Sequence, residues 1–156
     1  LVDITEEKMK LVLDFFTEPE PHYAQIIKAD KVKPIEVYPK EENKHPHAIW
    51  DVKDAGATRN GNKVLVKMIA VRSTFTPTDF EIKDGDEVTI ALTNIEQTTD
   101  ELHGLGLLDY NINIVVDPGE TKTVTFKAKK KGVYPYYCTN FCSALHQEMQ
   151  GYMIVR

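Results

Sequence analysis

Thr121-Lys122-Thr123-Val124-Thr125-Phe126-Lys127-Ala128 alternates polar and apolar side chains, with Val124, Phe126 and Ala128 on one face. A period of two marks a half-buried strand, because successive side chains of an extended chain point to opposite sides. Asp117-Pro118-Gly119-Glu120 supplies a turn before it, and Gly132 ends a turn after it. The same reading extends outward in both directions. Val133 to Cys138 (VYPYYC) begins the next strand, and Tyr152 to Val155 (YMIV) closes the chain. Upstream, Lys63 to Arg72, Phe80 to Ile82, Glu87 to Leu92 and Asn111 to Val116 read as further strands, with a turn at Lys83-Asp84-Gly85-Asp86. Many short strands separated by turn signals predict an all-β fold, an antiparallel sandwich or barrel over residues 61–156.

The first 60 residues read differently. Thr5 can cap a helix, with Glu6 and Glu7 in its first turn, and Met9, Val12, Leu13 and Phe16 form one apolar stripe. Pro19 and Pro21 disfavour continuation past Thr17. Ala24 to Ala29 is strand-like, and the remainder is polar and rich in Pro, Lys, Glu, Asn and Asp. Residues 1–60 are therefore expected to be a helix and linker arm from a preceding domain.

Composition narrows the function class. The chain has 156 residues, 42% hydrophobic and 28% charged, which excludes disordered, collagenous and disulfide-framework classes. No apolar run approaches the roughly 18 residues of a membrane-spanning helix. Residues 1–58 carry 8 basic and 12 acidic groups, and residues 59–156 carry 11 and 12, so no basic face for nucleic acid is expected. The cluster Lys127, Lys129, Lys130 and Lys131 reads as a solvated loop.

The chemistry is concentrated in Cys138-Thr139-Asn140-Phe141-Cys142-Ser143-Ala144-Leu145-His146-Gln147-Glu148-Met149. Two thiols, an imidazole and a thioether suit a soft or borderline metal, whereas carboxylates and carbonyls would suit magnesium or calcium. A second imidazole is available from His103, at the end of an earlier strand region. The residues alone leave four readings open. Cys138 and Cys142 can form a local disulfide. With His103 and His146 they satisfy a tetrahedral zinc site, which leaves Met149 unused. A mononuclear blue-copper site needs one Cys, two His and an axial Met, which leaves one thiol over. A dinuclear copper centre uses all five side chains. Asp100 and Glu101 are candidates to orient His103, and Glu148 to tune the loop. His22, His45 and His47 read as solvated or structural, and Met153 as core.

The pattern C-x-x-x-C-x-x-x-H-x-x-M, with an upstream His, resembles the CuA motif of cupredoxin domains. That motif occurs in cytochrome c oxidase subunit II and in the carboxy-terminal domain of nitrous-oxide reductase. Phe75 to Ile82, Gly85 to Ile90, Asn94, Pro118 to Glu120 and Gly132 to Tyr134 also resemble cupredoxins. Tyr136-Tyr137-Cys138, Phe141-Cys142, Ala144-Leu145-His146, Glu148-Met149 and Gly151 are similar to the reductase family rather than the oxidase. The oxidase motif places Glu between the cysteines and Gly after the second, where this chain has Asn140 and Ser143.

The resemblance implies a cupredoxin-like Greek-key sandwich holding a dinuclear, mixed-valence copper centre of two copper ions. It implies that Cys138 and Cys142 bridge both coppers, and that His103 and His146 bind one each. Met149 is implied as a weak ligand to one copper and the backbone carbonyl of Asn140 as ligand to the other. The family position of Asn140 is often Trp, so no electron path or partner contact through an indole ring carries over. It further implies electron transfer in a periplasmic or otherwise extracytoplasmic compartment. A cytochrome c or small cupredoxin is the implied donor. The implied acceptor is a catalytic copper cluster in a propeller domain of a paired subunit in a full-length homodimer. That cluster's histidine-rich ligand set cannot come from this chain, which has five His, two of them already assigned. The chain alone is thus expected to carry electrons and not to reduce nitrous oxide. The soluble domain of oxidase subunit II is the alternative. A module binding a single copper or zinc is the alternative of another class.

Overall fold

The computed structural model describes residues 43–156. The expected helix, the run from Ala24 to Ala29 and His22 lie outside the described residues. The described chain forms ten strands: β1 (Gly56–Asn60), β2 (Lys63–Val71), β3 (Thr74–Thr76), β4 (Asp79–Ile82), β5 (Glu87–Asn94), β6 (His103–Leu107), β7 (Ile112–Val116), β8 (Thr121–Lys127), β9 (Gly132–Tyr137) and β10 (Gln150–Val155). One sheet runs β1-β2-β5-β8 with β3 also on β2, and the other runs β4-β10-β9-β6-β7.

The two sheets bury their facing sides against each other. Val64, Val66, Met68 and Ala70 alternate inward along β2, and Val88, Ile90 and Leu92 along β5. Phe80, Ile82, Leu105, Leu107, Met153 and Val155 meet them from the other sheet. Each of these side chains larger than alanine, moved from water to the interior, contributes on the order of 2 kcal/mol. Tyr136 is buried with its ring edge-on to Phe75, and its hydroxyl donates to the carbonyls of Thr78 (2.6 Å) and Pro77 (2.9 Å). Burial pushes that phenol far above its ordinary range, so it stays a neutral donor. Met153 is core, as expected.

The all-β sandwich is as expected, with two differences in detail. The pairings β2/β5 and β4/β10 are parallel, not antiparallel. Between β2 and β5 the chain visits β3 in the same sheet and β4 in the other, so it returns beside β2 in the same direction. Three strands lie outside the expected set. β1 precedes residue 61 and pairs with β2 from Gly56↔Lys67 to Asn60↔Lys63. β3 has three residues, and β6 reads HGLGL, whose glycines carry little strand preference. His103 therefore begins a strand, β6, where an end had been expected. Ahead of β1, Asn43 donates to Gly119 O and Thr121 Oγ1 (both 2.8 Å), and Ile49 is buried with its N–H on Thr93 Oγ1.

Candidate metal centre

Three chain segments meet at one end of the sandwich. β9 delivers Cys138 just past its last residue, and β10 starts just after Met149. The loop between them is closed at its base by Cys138 N–H donating to Met149 O (2.9 Å). Its far side is wound by a 3-10 turn at His146–Glu148, with His146 N–H on Ser143 O and Met149 N–H on His146 O. β6 runs beside this base, and Thr139 N–H donates to Gly104 O (3.2 Å). Glycine at 104 is required by space: a Cβ there would lie 2.0 Å from Thr139 Oγ1 and 2.6 Å from Asn140 Oδ1. The close approach brings His103 beside the thiols.

All six residues singled out from the sequence converge here. His103 Nδ1 lies 3.8 Å from Cys138 Sγ, and Asn140 O lies 3.2 Å from the same sulfur. His146 Nδ1 lies 3.7 Å from Cys142 Sγ, and Met149 Sδ lies 3.8 Å from it. The donor atoms of His103, Cys138 and Cys142 all lie within 4.8 Å of one another. Two ligands on one metal, at about 2.0 Å for nitrogen and 2.3 Å for sulfur in tetrahedral geometry, stand about 3.5 Å apart. The observed spacings match that with no large movement. Both cysteines are free thiols, so the disulfide reading is not the arrangement present.

His103 is fully buried, and its Nε2 lies 3.1 Å from Glu96 Oε1. With Nε2 engaged by Glu96, Nδ1 is the ring nitrogen that faces Cys138. Burial opposes charging this imidazole, but the bonds to Cys138 and Glu96 outweigh it and hold its pKa above the ordinary value. Burial likewise opposes ionisation of Cys138, yet the bond from His103 and the neighbouring backbone bring its thiol below the usual range. Burial pushes the Cys142 thiol up to about 11, and the Cys138 charge acts in the same direction. The two thiols are thus shifted in opposite directions, and a bound cation would favour the ionised form of both.

The carboxylate that orients His103 is Glu96, not the expected Asp100 or Glu101. Asp100 is exposed, and Glu101 binds Arg72 (3.2 Å). Glu96 lies seven positions before His103, across a turn, and no periodic spacing signals that contact. Glu148 is exposed, and His45 accepts the His47 N–H (3.1 Å), a local turn. Phe141 and Leu145 stand out from the loop, 80% and 62% exposed, on either side of Cys142 in the chain.

A family model for the cupredoxin-like domain matches residues 45–155. The chain belongs to the cupredoxin family. This cupredoxin is 45% identical over 155 residues, 99% of its length, to a nitrous-oxide reductase of Cupriavidus necator, of which it spans 24%. It is 36% identical to the nitrous-oxide reductase of Stutzerimonas stutzeri, again over 99% of its length and 26% of that protein. A cytochrome c oxidase subunit 2 of Thermus thermophilus is 32% identical over 95 residues, 61% of this cupredoxin and 67% of that protein. Among solved structures, a chain of a heme-copper terminal oxidase dimer superposes with a TM-score of 0.58 and 26% identity, covering 97% of this cupredoxin and all of that chain. This cupredoxin thus spans about a quarter of the length of the reductases it matches, and it is homologous to domains of two copper enzymes.

Proposed function

We propose that this cupredoxin holds a dinuclear CuA centre and serves as the electron-entry domain of a nitrous-oxide reductase. The observation that carries the reading is the pairing of donors into two sets, each anchored on its own thiol. His103 Nδ1 and the Asn140 carbonyl flank Cys138, and His146 Nδ1 and Met149 Sδ flank Cys142. A single zinc or copper uses four of these groups at most, and the arrangement leaves no natural choice of which to discard. In this reading Cys138, Cys142, His103 and His146, with Met149 and the Asn140 carbonyl, would hold the two copper ions. Bound copper would supply a one-electron carrier with its charge spread over two ions. The protein's part is to hold the ligands still. β6 and β9 fix His103 and Cys138, Glu96 fixes the imidazole, and the loop base fixes Met149. Ligands that move little on electron uptake keep reorganisation low.

Residues 1–60 are read as the connection from a preceding domain and 61–156 as the cupredoxin domain, with β1 as the point where the connection joins the sheet. Exposed Phe141 and Leu145 give a donor such as cytochrome c or a small cupredoxin an apolar surface beside the site. The acceptor is the catalytic copper cluster of a paired subunit's propeller domain, and the compartment is periplasmic. No helix among the described residues is long and apolar enough to cross a membrane. The isolated chain should not turn over nitrous oxide. The oxidase reading is favoured by one observation, the match over 67% of an oxidase subunit 2. A propeller encoded upstream supports the reductase reading, and a transmembrane hairpin there supports the oxidase.

The test is electron paramagnetic resonance on the copper-loaded chain, with a copper count. Two coppers per chain, with hyperfine structure from two nuclei, are expected. One copper with a simple pattern overturns both CuA readings and leaves a mononuclear module.

A further inference from the structure

The turn after β2 carries a cation that joins two carboxylates at the metal end. The Arg72 backbone N–H donates to Glu96 Oε1 (2.5 Å), and its Nη2 lies 3.8 Å from Glu96 Oε2 and 3.2 Å from Glu101 Oε1. The next residue, Ser73, hydrogen-bonds Ser143 of the ligand loop through their hydroxyls. The two carboxylates converge on one guanidinium. Glu96 holds the His103 ring, and Glu101 stands two positions before His103 in the chain and shares the same guanidinium. The side chains of Glu96 and Glu101 are 8% and 19% exposed, against 45% for Arg72. Glu101 Oε2 is buried and has no hydrogen-bond partner. A carboxylate oxygen left bare inside a protein is costly unless its charge is used or balanced. Hydrogen bonding of the His103 ring needs Glu96 but gives no reason for Glu101.

We propose, resting on the CuA reading, that Arg72 and Glu101 form a positioning ion pair that sets the reduction potential of the copper pair. A buried negative charge stabilises the more positive, oxidised state of a metal site and lowers its potential, and a neighbouring cation offsets this. Two carboxylates share one guanidinium here, so the balance tips when either partner of the pair is neutralised. Glu101→Gln removes a negative charge and raises the midpoint potential. Arg72→Gln exposes both carboxylates and lowers it. Arg72→Lys keeps the charge and stays near the parent. The double variant falls between the two single ones, because the groups are in contact and their effects are coupled.

The experiment uses the full chain, copper-loaded, at one pH and low ionic strength, with midpoint potential, copper count, hyperfine pattern and melting temperature measured together. Opposite shifts for Glu101→Gln and Arg72→Gln, with two coppers retained, are expected. A structural role alone would perturb the site in the same sense from either side. Shifts of the same sign, no shift, or loss of copper from Glu101→Gln each overturn the proposal. If Arg72→Gln does not fold, Glu101→Gln decides it: the potential must rise. A parent chain without two coppers overturns the CuA reading itself. A parent with two coppers and variants that do not diverge overturns only the role of the ion pair.

Discussion

The two halves of the donor set are built by different means. His103 and Cys138 stand where β6 begins and just past the end of β9, are 0% and 3% exposed, and are backed by Glu96. His146 and Cys142 stand on the loop, with His146 partly exposed and bracketed by exposed Leu145 and Gln147. The first half is held by the sheet and the second by a loop closed at its base. A pre-formed buried half secures geometry before metal arrives, whereas a loop half can adapt and present a surface to a partner. The contrast teaches that one site can divide rigidity and access between its two sides.

The comparison breaks most completely at a thiol. Cys142→Ser should leave at most one copper per chain and abolish two-nucleus hyperfine structure, as read by metal analysis and resonance spectroscopy. If the contrast between halves is real, Cys138→Ser should also lower the stability of the copper-free chain, since it replaces the more buried sulfur. Retention of two coppers by either variant would end the bridging assignment.

The next effect separates the imidazoles. His103→Ala empties a fully buried position and leaves the Glu96 carboxylate only its Arg72 partners, so urea denaturation of the copper-free protein should show a loss of about 2–3 kcal/mol. His146→Ala, on the partly exposed half, should stay within about 0.5 kcal/mol. Equal costs would mean the halves are equally supported. Gly104→Ala sharpens the same point on the sheet side. Its Cβ would press on Thr139 and Asn140, and overpacking of this kind costs about 1–3 kcal/mol. Melting curves should show that loss, and the spectrum should change because Thr139, next to Cys138, must shift.

The smallest effect on the centre belongs to a control at the other end of β5. Asp86 is buried, and Arg59 grips both its oxygens at 2.6 and 2.7 Å. The Arg59 guanidinium outweighs burial and lowers the Asp86 pKa below its ordinary value of 3.8. The carboxylate's contribution is therefore complete above that value and is lost as pH falls through the depressed one. Asp86→Asn should melt lower at neutral pH, lose stability less steeply below pH 3.8 than the parent, and leave copper content and spectrum unchanged. An altered spectrum would show that the two ends of the sandwich are coupled.

What could be read in advance follows the range of the forces. Strands such as Lys63–Val71 and Thr121–Lys127 announce themselves by alternation, a local property. The loop ligands announce themselves because four of them lie within twelve residues. β6 was hidden because its five residues are all buried, so no polar face gives a period, and two of them are glycine. β1, all but one of whose residues are exposed, was hidden for the opposite reason.

By itself the sequence determined the chemistry: soft donors at tight spacing select a metal of the copper or zinc kind, and covalent spacing holds Cys138, Cys142, His146 and Met149 to one short loop. Only the tertiary structure decided which groups support them. His103 reaches Cys138 from 35 residues away, Glu96 turns back onto His103, and Arg72 gathers Glu96 and Glu101 from another sheet connection. The reason is physical. Ligand identity is carried by side-chain chemistry along the chain, whereas ligand orientation and local charge are set by which buried polar groups must satisfy one another once the sheets close.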